Sequence, residues 1–203
     1  KWYTYEIGLK AVLRHDPDII LIGETRSKET AEIAINAALT GHLVFTTLHT
    51  NSAIESIPRL TSMDVKPYML APSLNLVVAQ RLVRRICTAC WTRREANYGE
   101  KAEIEDAIKK IHDVDPKILL PFDGTVPHPV GCDECNGSGY KGRMAIIEMF
   151  EITDDDRKMV VEGKTDIDLY AKARENGFLT LHEDGIIKML QGLTTLDELR
   201  RIL

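Results

Sequence analysis

Ile19-Ile20-Leu21-Ile22-Gly23-Glu24 is a run of four aliphatic residues, three of them β-branched, closed by a glycine and a carboxylate. An unbroken aliphatic run of this length, bounded by turn residues, predicts a short strand buried on both faces. The carboxylate falls just past its C-terminal end, and in open α/β sheets ligands bind outside the carboxyl ends of the strands. An acid placed there can hold Mg²⁺ through water, or orient and deprotonate an attacking water. Gly23 keeps the approach to a phosphate free of side chain. Acids also follow strands simply because loops are wet, so the hexapeptide needs a second element beside it.

That element lies downstream. Lys28 to Leu39 is Ala-rich with helical spacing, and Gly41 stands where a C-terminal cap would. Leu43 to Leu48 reads as a second buried strand, and Thr46-Thr47-Leu48-His49-Thr50 places hydroxyls and an imidazole at its C-terminal end. If the two strands are parallel neighbours, Glu24 and His49 open onto one edge, where the imidazole can donate to a terminal phosphate. His42 begins the second strand and is expected at the far end or buried. Upstream, Tyr5 to His15 predicts a helix ended by Pro17. Downstream, Asn51 could cap a helix running to Met63, Pro67 to Asn75 offers another, and Leu76 to Arg85 is apolar, then basic, and of open type. Strand, helix, strand, helix implies a parallel sheet with helical crossovers. Arg14, Arg26, Arg81, Arg84 and Arg85 could serve phosphate through their paired donors, although each taken alone reads first as a surface or ion-pair residue.

The composition fits this picture. The chain has 203 residues, 44% hydrophobic and 28% charged, enough for one or two domains with a real core. Its net charge is −5 with both signs interspersed, so a nucleic-acid coat is not expected. No apolar run approaches the roughly 20 residues of a membrane helix. The chain opens Lys1-Trp2-Tyr3, without a Met or a signal peptide, and reads as an excised or incomplete chain.

The four cysteines form two CxxC pairs, Cys87/Cys90 and Cys132/Cys135. Without an export signal such pairs read as metal ligands in a reducing cytosol. Four thiolates satisfy tetrahedral Zn²⁺ and leave no open position for a catalytic water, so the site is structural. Gly137 and Gly139 leave room for backbone N–H groups to turn toward sulfur. Free or disulfide-bonded cysteines are the competing reading, and the spacer between the pairs is longer than in a zinc finger. Three divisions follow: residues 1–86 as an α/β unit, 87–143 as a tetracysteine insert with a charged helix-like stretch from Glu95 to His112, and 144–203 as a mainly helical region. In the last, Met144 to Phe150 is a short apolar run, and Asp154-Asp155-Asp156 reads as a helix start. Thr195 with Glu198 matches a capping box. His112, His128 and His182 are assigned no role.

The run LRHDPDIILIGETRSKETAEIAINAALTGHLVFTTLHTNSA, Leu13 to Ala53, closely resembles the secretion ATPases of type II secretion and type IV pilus assembly (GspE/PilB-like). QRLVRRIC, Gln80 to Cys87, and CDECNGSGYKGR, Cys132 to Arg143, resemble the same proteins further along. The resemblance implies the second half of a RecA-like ATPase core, a tetracysteine zinc subdomain and a helical C-terminal region. It implies ATP, Mg²⁺ and Zn²⁺ as cofactors. By position, Ile19 to Glu24 matches the family's Walker B strand with Glu24 as catalytic acid. His49 matches the histidine that senses the γ-phosphate, with Gly23, Arg26 and Thr47 around the nucleotide. Arg14, Asp16 and Asp18 fall in the family's LRxDPD segment. The family pattern GEIRD departs here to Gly23-Glu24-Thr25-Arg26-Ser27, with Thr25 in place of Ile and Ser27 in place of Asp.

No stretch matches GxxxxGK[ST], the loop that wraps phosphates with backbone N–H groups and a Lys. This chain alone is therefore expected to hydrolyse ATP poorly or not at all. The complete protein is expected to form a homo-hexamer at the cytoplasmic face of the inner membrane, held there by a platform protein, without direct nucleic-acid binding. The tetracysteine region favours assembly or secretion, since pilus retraction ATPases lack it. Two alternatives stay open: a non-enzymatic zinc module, for which residues 1–86 merely pack, and a DNA-uptake motor of the same superfamily. Cys132 to Gly139 also fits the CxxCxGxG repeat of Hsp40-type chaperones, which carry four such repeats where this chain has one.

Overall fold

The structure is a computed structural model that describes residues 4–15 and 17–203. Lys1, Trp2, Tyr3 and Asp16 lie outside the described residues, and with them the chain's opening and the Asp16 of the LRxDPD segment. The chain forms two compact units, each assembled from two separate stretches.

The first unit takes Lys1–Val77 and Phe150–Lys172. Helix α1 (Tyr5–Val12) starts at Thr4, whose hydroxyl accepts the Ile7 N–H, and tightens into a 3₁₀ turn over Leu13–His15. Strand β1 (Ile19–Ile22) runs parallel to β2 (Leu43–Thr46), with Ile19 opposite Leu43 and Ile22 opposite Thr46. Helix α2 (Lys28–Leu39) makes the crossover between them. Its Thr30, Ile33, Ala34 and Ala37 recur at helical spacing and are buried. Leu9, Ile20, Ile22, Ile33, Ala34 and Ala37 form one core, with Leu13 and Val44 packed at its edge.

Both strands were expected to be buried on both faces, and here one face is buried. Ile20 and Ile22 point into the core, whereas Ile19, Leu21, Leu43 and Phe45 are exposed, Leu21 at 78%. Helix α2 covers one side of the pair, and the apolar character of the other side is what makes the sequence read as doubly buried. The second strand also ends at Thr46 rather than Leu48.

Helix α3 (Ser56–Ser62) begins later than the sequence predicts. Glu55, not Asn51, is its N-cap, and the Asn51 backbone N–H donates to the Glu55 carboxylate within the bends that precede the helix. Helix α4 (Pro67–Ser73) starts with proline at a position where no N–H is needed, and it packs on α2 and on α6 (Asp154–Val161). Thr153 and Asp156 cap α6 reciprocally, so the acidic run does start a helix. Helix α7 (Asp166–Glu175) follows.

Two long strands, β3 (Leu76–Ile86) and β6 (Tyr140–Glu151), pair with each other and carry the chain out of this unit and back into it. They absorb the segments Leu76 to Arg85 and Met144 to Phe150.

The second unit takes Val78–Met149 and Ala173–Leu203. β4 (Thr92–Glu95) pairs antiparallel with β5 (Thr125–His128). Helix α5 (Tyr98–Val114) is capped by Asn97, whose side chain and that of Glu100 satisfy each other's backbone N–H groups. This cap moves the helix start past the expected Glu95. Ile104, Ala107 and Ile111 of α5 meet the core beside α8 (Leu181–Leu190), and Ile186, Met189 and Leu199 are likewise buried. The last helix, α9 (Leu196–Ile202), has Thr195 as its cap. Glu198 does not close the expected capping box: its carboxylate is taken by Arg84 and Arg201 instead. Among the described residues no helix is long and apolar enough to cross a membrane.

Candidate functional site

Parallel pairing sends β1 and β2 to the same edge, and the chain continues the ladder past both strand ends. The Thr25 N–H donates to the Thr47 carbonyl at 3.0 Å. The Thr47 hydroxyl donates to the Gly23 carbonyl at 2.7 Å. Glu24, between these two bonds, stands beside His49, with Nε2 of His49 2.6 Å from Oε1 of Glu24. On the other oxygen, Oε2, Arg26 Nη2 closes an ion pair at 2.6 Å. The edge therefore assembles Gly23, Glu24, Arg26, Thr47 and His49, and His42 lies at the opposite end of β2, its Nδ1 3.0 Å from the Ala37 carbonyl.

The electrostatics are lopsided. The Glu24 side chain is 22% exposed, against 77% for Arg26 and 80% for His49. The Arg26 guanidinium holds the Glu24 carboxyl below the usual carboxylate range, overcoming partial burial that pushes it up, and His49 adds to the lowering. Glu24 in turn raises Arg26. Oε1 itself is screened from solvent, with Nε2 of His49 its close neighbour. A shielded carboxylate oxygen with a lone pair to spare, flanked by two exposed nitrogen groups, fits a water or a hydrated Mg²⁺ beneath a phosphate. Ser27 caps α2: its hydroxyl accepts the Thr30 N–H at 3.2 Å. The pattern anticipated the acid and the imidazole. It missed the grip of Arg26 on Glu24, and the bridge between the Thr25 and Thr46 hydroxyls at 2.9 Å. Three threonines around two strand ends were the available signal.

The second constellation lies in the other unit. The sulfurs of Cys87, Cys90, Cys132 and Cys135 all lie within 4.8 Å of one another. Cys87 to Cys132 is 3.9 Å, Cys90 to Cys135 3.8 Å and Cys132 to Cys135 3.8 Å. These are far beyond a disulfide bond, and all four cysteines are free. A tetrahedral Zn²⁺ with bonds of about 2.3 Å requires sulfur separations of about 3.8 Å, so the residues present fit the ion. Backbone donors aim at sulfur: Gly131 N–H at Cys90, and the Cys132 and Gly139 N–H groups at Cys135. Burial pushes the Cys135 thiol up, but those two donors together with the Cys132 and Cys90 side chains outweigh it and bring it down to about 6. Gly139 takes φ +74°, and a side chain there would meet Pro129 at 2.5 Å, so the knuckle requires glycine.

Behind the cysteines is a network that no local pattern announces. Arg84, shortly before Cys87, donates to Glu198 from its backbone and its guanidinium, and that guanidinium lies 4.1 Å over the Tyr140 ring. Tyr140 Oη pairs with Thr195 Oγ1 at 2.8 Å.

A family model described as type II/IV secretion system protein matches residues 2–201. The chain belongs to that family. It is 42% identical over 98% of its length to the type IV pilus assembly ATPase PilB of Acinetobacter baylyi. It is 43% identical over 98% to the type II secretion system protein HxcR of Pseudomonas aeruginosa, and 41% identical over 98% to type II secretion system protein E of Dickeya dadantii. It spans 33%, 36% and 37% of these relatives' own lengths. Among solved structures, the pilus retraction motor PilT with bound ADP superposes with a TM-score of 0.64 at 25% identity, over 98% of this chain and 43% of that one. The Legionella pneumophila ATPase DotB gives a TM-score of 0.63 at 20% identity, a likeness of fold, over 98% of this chain and 42% of that one. The α/β ATPase core expected from sequence is thus supported by the family and by its structural neighbours.

Proposed function

We propose that this chain is the part of a hexameric traffic ATPase, driving type II secretion or type IV pilus assembly, that carries the catalytic acid and the phosphate-contacting histidine. The observation that carries the reading is the 2.6 Å approach of His49 to Glu24 at the shared end of two parallel strands. A domain that merely packs has no reason to bring an acid and an imidazole together on a strand edge, which speaks against the purely structural zinc module.

Bound as its Mg²⁺ complex, ATP supplies the phosphoryl group that water attacks. The chain's own residues divide the remaining work. Arg26 and His49, exposed on their outer sides, are the groups that can turn to phosphate oxygens, Arg26 through paired donors. Once they turn, Glu24 has lone pairs free to orient a water and accept its proton. Gly23 leaves the approach open, and Thr47 holds the Gly23 carbonyl in place. Loss of the phosphate returns His49 to Glu24, a local rearrangement of the kind that shifts one domain or subunit against another.

In the second unit, the four cysteines hold a structural Zn²⁺ that fixes two chain segments and takes no part in the chemistry. The complete protein works at the cytoplasmic face of the inner membrane on a platform protein, associates peripherally with the membrane through such partners, and makes no direct contact with nucleic acid. This chain alone, without a phosphate-wrapping loop of the GxxxxGK[ST] type, turns over little ATP.

The test is Glu24→Gln in the full-length motor. Nucleotide binding should persist while turnover falls on the order of 10²-fold or more, the scale of a general base. Turnover at the wild-type rate in that variant would remove Glu24 from its role.

A further inference from the structure

We propose that Thr25 is a positioning residue for Glu24, acting through a hydroxyl bridge to Thr46. The inference rests on the reading of Glu24 as the catalytic acid.

The regular ladder between β1 and β2 ends at the pair Ile22 and Thr46. Beyond it two strands ordinarily diverge, yet here three further bonds keep the segments together. One precedes Glu24, from the Thr47 hydroxyl to the Gly23 carbonyl. Two follow it: the Thr25 N–H to the Thr47 carbonyl at 3.0 Å, and Thr25 Oγ1 to Thr46 Oγ1 at 2.9 Å. Glu24 is thereby bracketed on both sides by the segment that leads directly into His49, so its distance from His49 is set by these bonds. Of the three, only the hydroxyl bridge depends on what residue occupies position 25.

The surroundings of Thr25 show that its hydroxyl is not needed for packing. The side chain is 3% exposed and, with Thr46, forms part of the wall of a cavity of about 80 Å³. Ala34, Ile35, Leu60 and Leu70 make much of the remaining wall. A buried hydroxyl against apolar neighbours needs a partner, and Thr46 supplies it. Valine has the same shape and suits those walls, so Thr25→Val removes the bridge while retaining the packing. Thr46, itself exposed, can then turn its hydroxyl to water.

The experiment compares Thr25→Val, Thr25→Ser and Glu24→Gln in the full-length motor, with kcat and KM for ATP measured separately. Loss of alignment acts on the reacting geometry and not on nucleotide grip, so Thr25→Val should lower kcat about tenfold with KM within about twofold. Thr25→Ser, which keeps the hydroxyl, should restore most of the rate. A readout independent of activity uses this 203-residue chain: the nuclear Overhauser contact between the His49 ring and the Glu24 side-chain methylenes should weaken in Thr25→Val and persist in Thr25→Ser. Should Thr25→Val fail to fold, Thr46→Val breaks the same bridge from its exposed side and must show the same pattern. An unchanged kcat in Thr25→Val, alongside an inactive Glu24→Gln, overturns the positioning role and leaves the proposed function standing. An active Glu24→Gln overturns the proposed function itself, and the Overhauser contact then decides alone whether Thr25 holds Glu24 against His49.

Discussion

Replacing Glu198 with alanine removes the acceptor that ties the end of β3 to α9. The side chain is fully buried and its two oxygens take five N–H donors. The Arg84 backbone N–H, Nε and Nη2 lie at 2.9, 2.9 and 2.7 Å, and Arg201 Nε and Nη2 at 2.8 and 2.6 Å. Burial pushes the carboxyl up, but Arg201 and Arg84 together hold it at about 2, against an ordinary 4.5. That difference corresponds to about 3 kcal/mol at neutral pH. Arg84 and Arg201 are themselves partly exposed, so solvent screens them and the figure is a ceiling. Breaking a buried pair from one side costs about 3 to 5 kcal/mol when the orphaned charge cannot reach water. Here both arginines can, and the loss should be about 2 to 3 kcal/mol. Urea unfolding of wild type and Glu198→Ala at pH 7 measures it. The sign with pH follows from the direction of the shift. A carboxyl lowered in the fold contributes its full stability above 4.5 and loses it as pH falls toward 2. The advantage over Glu198→Ala should therefore shrink across that window. Glu100, also held at about 2, titrates in both proteins and cancels in the difference. A second consequence concerns the metal. The same network grips Arg84 just before Cys87 and Tyr140 just after Cys135, so the variant should weaken Zn²⁺ on the order of tenfold, as outer-shell changes do. A cost below about 0.5 kcal/mol at pH 7, or an advantage that survives acidification undiminished, would refute this account of the network.

Elemental analysis of the purified chain should find close to one zinc per chain, and chelation should raise hydrogen exchange across residues 87–143 while β1 and β2 stay protected; a metal-free sample with full protection removes the zinc assignment. Ser27→Ala should cost about 1 kcal/mol in thermal or urea unfolding through loss of the α2 cap, and Ser27→Asp should recover it; equal stability of all three proteins contradicts the capping role. In Arg26→Gln the largest cause of the lowered Glu24 carboxyl is gone, so its titration midpoint, followed by carbon NMR on the side-chain carboxyl, should rise toward the ordinary carboxylate range; an unmoved midpoint means that Arg26 is not what holds Glu24.

The sequence was most readable where the relevant interactions are local or repeat with a short period. The aliphatic runs at Ile19 and Leu43, the helix between them and the two CxxC pairs were all visible as patterns, and they become β1, α2, β2 and the sulfur cluster. The open face of β1 and β2 was not readable, because Leu21 and Phe45 are as apolar as Ile20 and Ile22, and only the placement of α2 distinguishes the two sides. Asn51 was misjudged because a good capping residue is equally at home in the turns before a helix. Glu198 was misjudged for the opposite reason: its spacing from Thr195 is right for a capping box, but its carboxylate meets Arg84, which no window along the chain can include. Likewise, each compact unit joins stretches that are remote in sequence, and the joining strands β3 and β6 read separately as unrelated apolar segments.

Under the proposed role of Glu24 as a base, the rim on the first unit holds that acid in its weaker form. A carboxylate kept below its ordinary range is fully ionised near neutral pH and correspondingly weak as a base. What keeps it there is first of all Arg26, against partial burial that alone would make Glu24 a stronger base. Arg26 and His49 are both exposed, at 77% and 80%, and under the proposed function they are the two that a phosphate would recruit. The same movement that lets them contact a phosphate therefore removes the lowering of Glu24 and leaves the burial that raises it. Base strength then rises only when an anion occupies the neighbouring cations. A phosphate beside Glu24 would add its own repulsion in the same direction, and under our proposal the hydroxyl bridge between Thr25 and Thr46 keeps Glu24 beside His49 for that exchange.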